Sequence, residues 1–185
     1  MDQLSRCIRA GKARFRGISS HDPETLRAAI ESGLCDVVMF AVGPHVDARF
    51  VEEILPLARR KNVGTVCFKT FGAGKLLGDT EGYSRPLSAR PRGKLSSGGA
   101  AARHEVGGAP SGEPELPHLT VEECVHYTLT VDPDVALLGL SFPNEQDAAF
   151  SAAVSFAPLS AFKIEEIRRR AAEAVKGKGP CWWNA

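Results

Sequence analysis

A chain of 185 residues with 43% hydrophobic and 24% charged residues has the make-up of one ordinary globular domain with room for a sizeable core. Its 23 basic residues nearly balance 22 acidic ones, so no charge excess steers it toward nucleic acid or an anionic membrane. No run approaches the ~18 apolar residues of a membrane span and the opening Met1-Asp2-Gln3-Leu4-Ser5-Arg6 has no apolar signal core, which predicts a soluble cytoplasmic protein.

In chain order, residues 2–10 place Leu4, Cys7 and Ile8 on one helical face and stop at Gly11. A short strand through Gly17 and Ile18 then feeds a helix over 23–32, with Asp22 as its cap and Pro23 at its first position. Residues 36–42 form a continuous apolar run, the pattern of a strand buried on both faces. Helical spacing returns over 47–61, where Pro56 must kink or restart the helix, and 63–69 is the next strand.

From 82 to 117 the composition shifts to Gly, Ser, Ala, Pro and Arg, too poor in large apolar residues to offset the entropy of ordering, and a disordered surface insertion is expected. Thr120 with Glu123 reads as a capping box before a helix lined by Val121, Cys124, Val125 and Leu129. Residues 135–140 make a fourth buried strand, 145–155 and 160–175 two further helices, and a Gly-rich tail ends in Trp182 and Trp183. Five cysteines without a CxxC pair suggest neither a zinc site nor a disulfide framework, and Cys35, Cys67 and Cys124 read as small core residues.

Four short apolar strands, each followed by a helix, call for a parallel α/β sheet with helices packed outside. With right-handed crossovers this is either an open sheet or half of an eight-stranded barrel.

Several strand ends together resemble one family. Gly17-Ile18-Ser19-Ser20-His21, preceded by Gly11, Lys12 and Arg14, is similar to the Gly-Val-Ser-Asn-His strand end of aldo-keto reductases. Asp36 to Met39 resembles the family's next strand, and Phe71-Gly72-Ala73-Gly74-Lys75-Leu76-Leu77-Gly78 resembles its Pro-Leu-x-x-Gly-x-Leu-x-Gly loop. Residues 138–147, Leu-Gly-Leu-Ser-Phe-Pro-Asn-Glu-Gln-Asp, sit where the family has its last strand and adenosine-side helix start, and residues 177–184 resemble the tail of a bacterial subgroup of predicted oxidoreductases. The resemblance spans nearly all of 1–185 except 82–117, and it implies the C-terminal half of a (β/α)8 TIM barrel with four parallel strands and outer helices.

It also implies a nicotinamide cofactor, NADP or NAD. Ser19 and Ser20 would hold the carboxamide, since short hydroxyls both donate and accept. Phe71, Gly72, Gly74 and Lys75 would wrap the pyrophosphate, with glycines letting backbone N–H groups approach phosphate oxygens. Gly139, Ser141, Glu145 and Asp147 would meet the adenosine side. Each has a plainer reading: a Ser-Ser turn before a capped helix, a loop after a strand, and acidic residues complementing a helix dipole. Ser20, Met39 and Lys69-Thr70 replace the family's Asn, Gln and Ser-Pro.

The family reduces carbonyls with an Asp, Tyr, Lys and His carried on earlier strands, a set expected upstream of Met1. Tyr127 and His126 are neighbours on a predicted helix and so point apart, which excludes a substitute pair, and His45 reads as a solvated loop histidine. The parent reaction would be nicotinamide-dependent reduction of a small carbonyl substrate. The alternative is a non-catalytic half-barrel that binds a nucleotide or another subunit. Its uncovered edges and inner face call for a missing N-terminal half or self-association.

Overall fold

The computed structural model describes residues 2–77, 117–139 and 143–184, with the side chains of 143–145 excepted. The expected insertion, apart from Pro117, therefore lies outside the described residues. Helix α1 (Asp2–Arg9) leads to strand β1 (Gly17–Ser19), helix α2 (Pro23–Glu31), strand β2 (Val37–Ala41), helix α3 (Leu55–Arg60) and strand β3 (Gly64–Phe68). Helix α4 (Val121–Val131), strand β4 (Val135–Ala136), helix α5 (Pro143–Val154) and helix α6 (Ala161–Ala174) follow.

The helix starts are written in local chemistry. Asp22 accepts from the N–H groups of Glu24 and Thr25, and Pro23, which has no N–H to lose, opens α2. Thr120 and Glu123 form the reciprocal capping box at α4. Pro56 restarts its helix, as one of the two expected outcomes. A π-helical turn, Phe50–Ile54, precedes α3, and the Leu55 N–H reaches back to the Phe50 carbonyl. That wider turn places Pro56 in the first turn of α3, where its missing N–H costs nothing.

The strands form one parallel sheet in the order β1-β2-β3-β4. Ser19 lies opposite Met39, Met39 opposite Val66, and Val66 opposite Val135, so these four share a face. Val38, Phe40 and Cys67 point to the other face, into a core with Leu26 and Ile30 of α2, Phe50 and Ile54 of the π turn, and Leu57 and Ala58 of α3. The Phe40 and Phe50 rings stack at 5.7 Å, and each such buried side chain contributes about 1.5–3 kcal/mol. A second core joins Leu76, Leu77, Leu119, Cys124 and Tyr127 to Ala149, Ala152, Ile167 and Ala171 of α5 and α6.

The fourth strand is shorter and wetter than its apolar run predicts. Of the run's described residues, 135–139, only Val135 and Ala136 pair, with the Leu137 N–H adding one bond to the Cys67 carbonyl; Val135 and Leu137 are 45% and 44% exposed, and Leu140 lies outside the described residues. The reason is position: among the described residues β4 is a sheet edge with no strand beyond it, and no described helix covers the face it shares with Met39 and Val66. Burial of Cys35, Cys67 and Cys124 is as expected, and burial pushes the Cys67 thiol up to about 12.

Asp134 pins β4 to β3. Its carboxylate accepts from the N–H and hydroxyl of buried Thr65, at 2.8 and 2.7 Å, and its own N–H donates to that hydroxyl at 2.9 Å. These bonds hold the carboxyl below the usual range, so their contribution is complete above the unfolded pKa and is lost as pH falls through the folded one. Asp134→Asn is expected to lower the urea midpoint near neutral pH and to match the parent in acid. An equal deficit at both would show that the charge plays no part.

Candidate functional site at the carboxyl ends of the strands

The end of β1 carries Ser19, Ser20 and His21. Ser19 is exposed on the uncovered face. The Ser20 N–H donates to the Met39 carbonyl, and its hydroxyl oxygen accepts from the Asp22 N–H at 3.0 Å, leaving the hydroxyl proton to donate elsewhere. The serine pair thus forms the turn before the capped helix and still presents hydroxyls at the strand end. Next to it, His21 meets Phe68 and Trp182 edge-on, with centroids at 5.2 and 5.0 Å. Its Nδ1 is buried without a hydrogen-bond partner, and burial first, then the Lys69 charge, lower its pKa.

The ends of β2 and β3 are drawn together at Gly43. A Cβ there would lie 2.5 Å from the Lys69 carbonyl oxygen, so only glycine lets the two chains approach this closely. Lys69 itself adopts φ 75°, a left-handed conformation disfavoured for any residue with a Cβ. Its ammonium sits 4.4 Å from the Trp182 ring, 5.4 Å from Trp183 and 5.7 Å from Phe68, and burial lowers its pKa.

Beyond β3 a 3₁₀ turn, Gly72–Gly74, is buried under the C-terminal tail. Trp183 is fully buried and donates through Nε1 to the His45 carbonyl at 3.1 Å. The Asp47 N–H donates to the side-chain oxygen of Asn184, tying down the same tail. Two buried lysines complete the join: Lys75 donates to the carbonyls of Gly179 and Pro180 at 2.9 and 2.6 Å, and Lys178 to those of Lys75 and Pro117 at 2.8 and 3.0 Å.

At the expected phosphate cradle the donors of Gly72, Gly74 and Lys75 are engaged within the chain. The N–H groups of Gly72, Gly74 and Lys75 donate to the carbonyls of Lys69, Phe71 and Gly72, and the Lys75 ammonium is taken up by the tail. Gly72 has φ 54° and lies against Leu76 and Trp183, while Phe71 is 4% exposed. As it stands, the loop is a packed turn whose N–H groups at 72, 74 and 75 are already bonded. His45 is likewise half-buried rather than solvated, with its pKa lowered by burial and then by Lys75.

Of the adenosine-side candidates, Gly139 is exposed with open space where a Cβ would stand, and Asp147 is exposed on α5. Ser141 lies outside the described residues, as does the Glu145 side chain. Because β1 and β4 are opposite edges, Ser19 and Ser20 stand at one end of the sheet and Gly139 at the other.

No alternative acid-base pair assembles among the described residues. Tyr127 is buried, and its hydroxyl accepts from Arg168 Nε at 2.8 Å; His126 faces the Ala152 carbonyl. No three His, Cys, Asp or Glu among the described residues could hold a metal ion, and no helix among them is long and apolar enough to cross a membrane. Sequence reasoning passed over His21, Gly43, Lys69, Trp182 and Trp183 as site residues. The signal that could have found them is a Trp-Trp pair ending a Gly-rich tail, with a lone lysine closing an apolar strand.

A family model described as the aldo/keto reductase family matches residues 1–168. Among solved structures, an aldo-keto reductase from Bacillus halodurans in its apo form is similar over 96% of this chain and 59% of its own, with a TM-score of 0.59 and 20% identity. Its holo form gives the same score and identity over 96% and 58%. At this identity the likeness concerns the fold, which is that of a partial (β/α)8 barrel. The chain spans less than two thirds of those structures. No curated protein matches it.

Proposed function

Because the chain belongs to the aldo/keto reductase family, we propose that it is the cofactor-side part of a nicotinamide-dependent oxidoreductase acting on a small carbonyl substrate. The observation that carries this reading is the placement of Ser19 on the sheet face that no described helix covers, with Ser20 next to it at the carboxyl end of the strand, where a barrel gathers its ligands. Ser19 and the Ser20 hydroxyl proton would orient a carboxamide, and Gly139, Ser141, Glu145 and Asp147 would meet the adenosine side. A bound nicotinamide, NADP or NAD, would supply the hydride. Phe71, Gly72, Gly74 and Lys75 would form the wall of the pyrophosphate side that the tail closes, with the N–H groups of Gly72, Gly74 and Lys75 and the Lys75 ammonium also bonded within the chain.

Among the described residues Tyr127 does not supply the general acid that carbonyl reduction needs, because its hydroxyl is turned into the helix layer against Arg168. Titration of the chain with NADPH and NADH, followed by cofactor fluorescence, is expected to show binding without aldehyde reduction. Turnover would refute the missing general acid. Absence of binding would favour the second reading, a non-catalytic half-barrel, which the tail packed over the Gly72–Gly74 turn supports.

This reading includes a cytoplasmic location and a partner. Exposed Val135 and Leu137, half-buried Val37, Met39 and Val66, and two sheet edges support closure against another half-barrel, either an N-terminal half or a second copy. Light scattering on the purified chain should therefore give a mass above that of one chain. A stable monomer would count against self-association.

A further inference from the structure

Among the described residues at the carboxyl end of the sheet, Lys69 is a cation whose charge no carboxylate answers. Lys69 has neither an ion-pair partner nor a hydrogen-bond acceptor among the described residues; its ammonium is met by the faces of Trp182, Trp183 and Phe68 alone. By contrast, Lys75 and Lys178 nearby are both spent on carbonyls. Lys69 is also held at a cost, with φ 75° in a residue that bears a Cβ. That conformation is held at the Lys69 carbonyl, by the close approach of Gly43 and by the bond it accepts from the Gly72 N–H. Strain of this kind, over-determined by its surroundings, serves to aim a side chain.

A second unsatisfied nitrogen stands in the same aromatic box. His21 packs edge-on against two of the rings that flank the Lys69 ammonium, Phe68 and Trp182, and its buried Nδ1 has no partner. A buried polar atom left unpaired costs free energy unless a ligand completes it. Both groups can donate hydrogen bonds, and one carries a full positive charge, so the missing partner is an oxyanion. A compact ammonium without an arginine fork suits the spread charge of a phosphoryl group better than the planar bidentate geometry of a carboxylate.

We propose that Lys69 and His21 form the anion anchor of this face, binding a phosphoryl group of a ligand held between the ends of β1 and β3 beneath Trp182. This deepens the cofactor-side reading by moving the phosphate contact from Lys75 to Lys69, although the anchor stands on the geometry of its own residues. The group could come from a nucleotide or from a phosphorylated substrate.

The chain carries two tryptophans, and both border the anchor, so intrinsic fluorescence reports on it directly. Titration of the whole chain with inorganic pyrophosphate should give a saturable change in tryptophan emission. Lys69→Met should weaken that binding by about tenfold or more, Lys69→Arg should retain part of it, and His21→Phe should weaken it less. Lys12→Met, an exposed surface change, should leave it intact. Circular dichroism of each variant separates loss of fold from loss of anchor. ADP-ribose and glyceraldehyde 3-phosphate then distinguish the two sources. No saturable response in the parent, or equal binding by folded Lys69→Met, would overturn the proposal. Pyrophosphate binding without any nicotinamide binding would refute the cofactor reading and leave the anchor standing.

Discussion

Trp183→Ala is expected to cost about 3–5 kcal/mol of unfolding free energy, the range for truncating a large buried aromatic. The residue is fully buried although it lies third from the last position of the chain. It packs into the core that contains Val38, Phe40 and Phe50, it lies 3.7 Å from where a Cβ on Gly72 would stand, and its indole N–H satisfies the His45 carbonyl. Removing it leaves a void and an unpaired carbonyl, and it loosens the tail on which Lys75 and Lys178 depend for their buried donors. The loss should therefore spread to the Gly72–Gly74 turn rather than stay local. Urea unfolding followed by circular dichroism measures the total. Trp183→Phe, which keeps most of the bulk and loses the N–H, should cost about 1–3 kcal/mol. An alanine variant within about 1 kcal/mol of the parent, the range of an ordinary surface substitution, would mean that the tail does not pack on this site in solution.

The tail also marks the limit of what local sequence reveals. Where structure is set by neighbours in the chain, the reading holds: Asp22 and Pro23 start α2, Thr120 and Glu123 start α4, Gly33 ends α2 with φ 66°, and Pro56 begins a new helix. The apolar runs at β2 and β3 are likewise strands, with Val38, Phe40 and Cys67 buried beneath helices. The run at 135–140 misled because an apolar strand at a sheet edge reads the same as a central one; among the described residues no further strand and no helix covers Val135 and Leu137.

At the site, the residue types were legible and their partners were not. The glycines at 72 and 74 promised open N–H groups, yet a 3₁₀ turn satisfies them within the loop, and Lys75 meets carbonyls more than a hundred positions away. Nothing local marks Lys69 either. A left-handed lysine looks like any other lysine until the chain opposite it is known, and that chain is Gly43, which by itself reads as one more loop glycine.

That juxtaposition yields the second large effect, in Gly43→Ala. The added methyl carbon would sit 2.5 Å from the Lys69 carbonyl oxygen, 3.2 Å from its carbon and 3.3 Å from the Thr70 Cα. All three are backbone atoms, so no side-chain rotation relieves the clash, and the ends of β2 and β3 must part. The bond from the Val42 N–H to the Phe68 carbonyl, 2.8 Å long and one residue away, lies in the path of that movement. A cost of about 1–3 kcal/mol follows, the usual range for overpacking a closed site. The same displacement shifts the backbone that aims Lys69, so pyrophosphate binding should weaken together with stability. Gly64→Ala provides the control on the same sheet: its Cβ would make ordinary contacts at 3.6 and 3.7 Å with Val37 and Asp36, and pyrophosphate binding should be unchanged. If Gly43→Ala lowers the urea midpoint but binds pyrophosphate as the parent does, the close approach serves strand packing alone, and the strain at Lys69 has no part in presenting its charge.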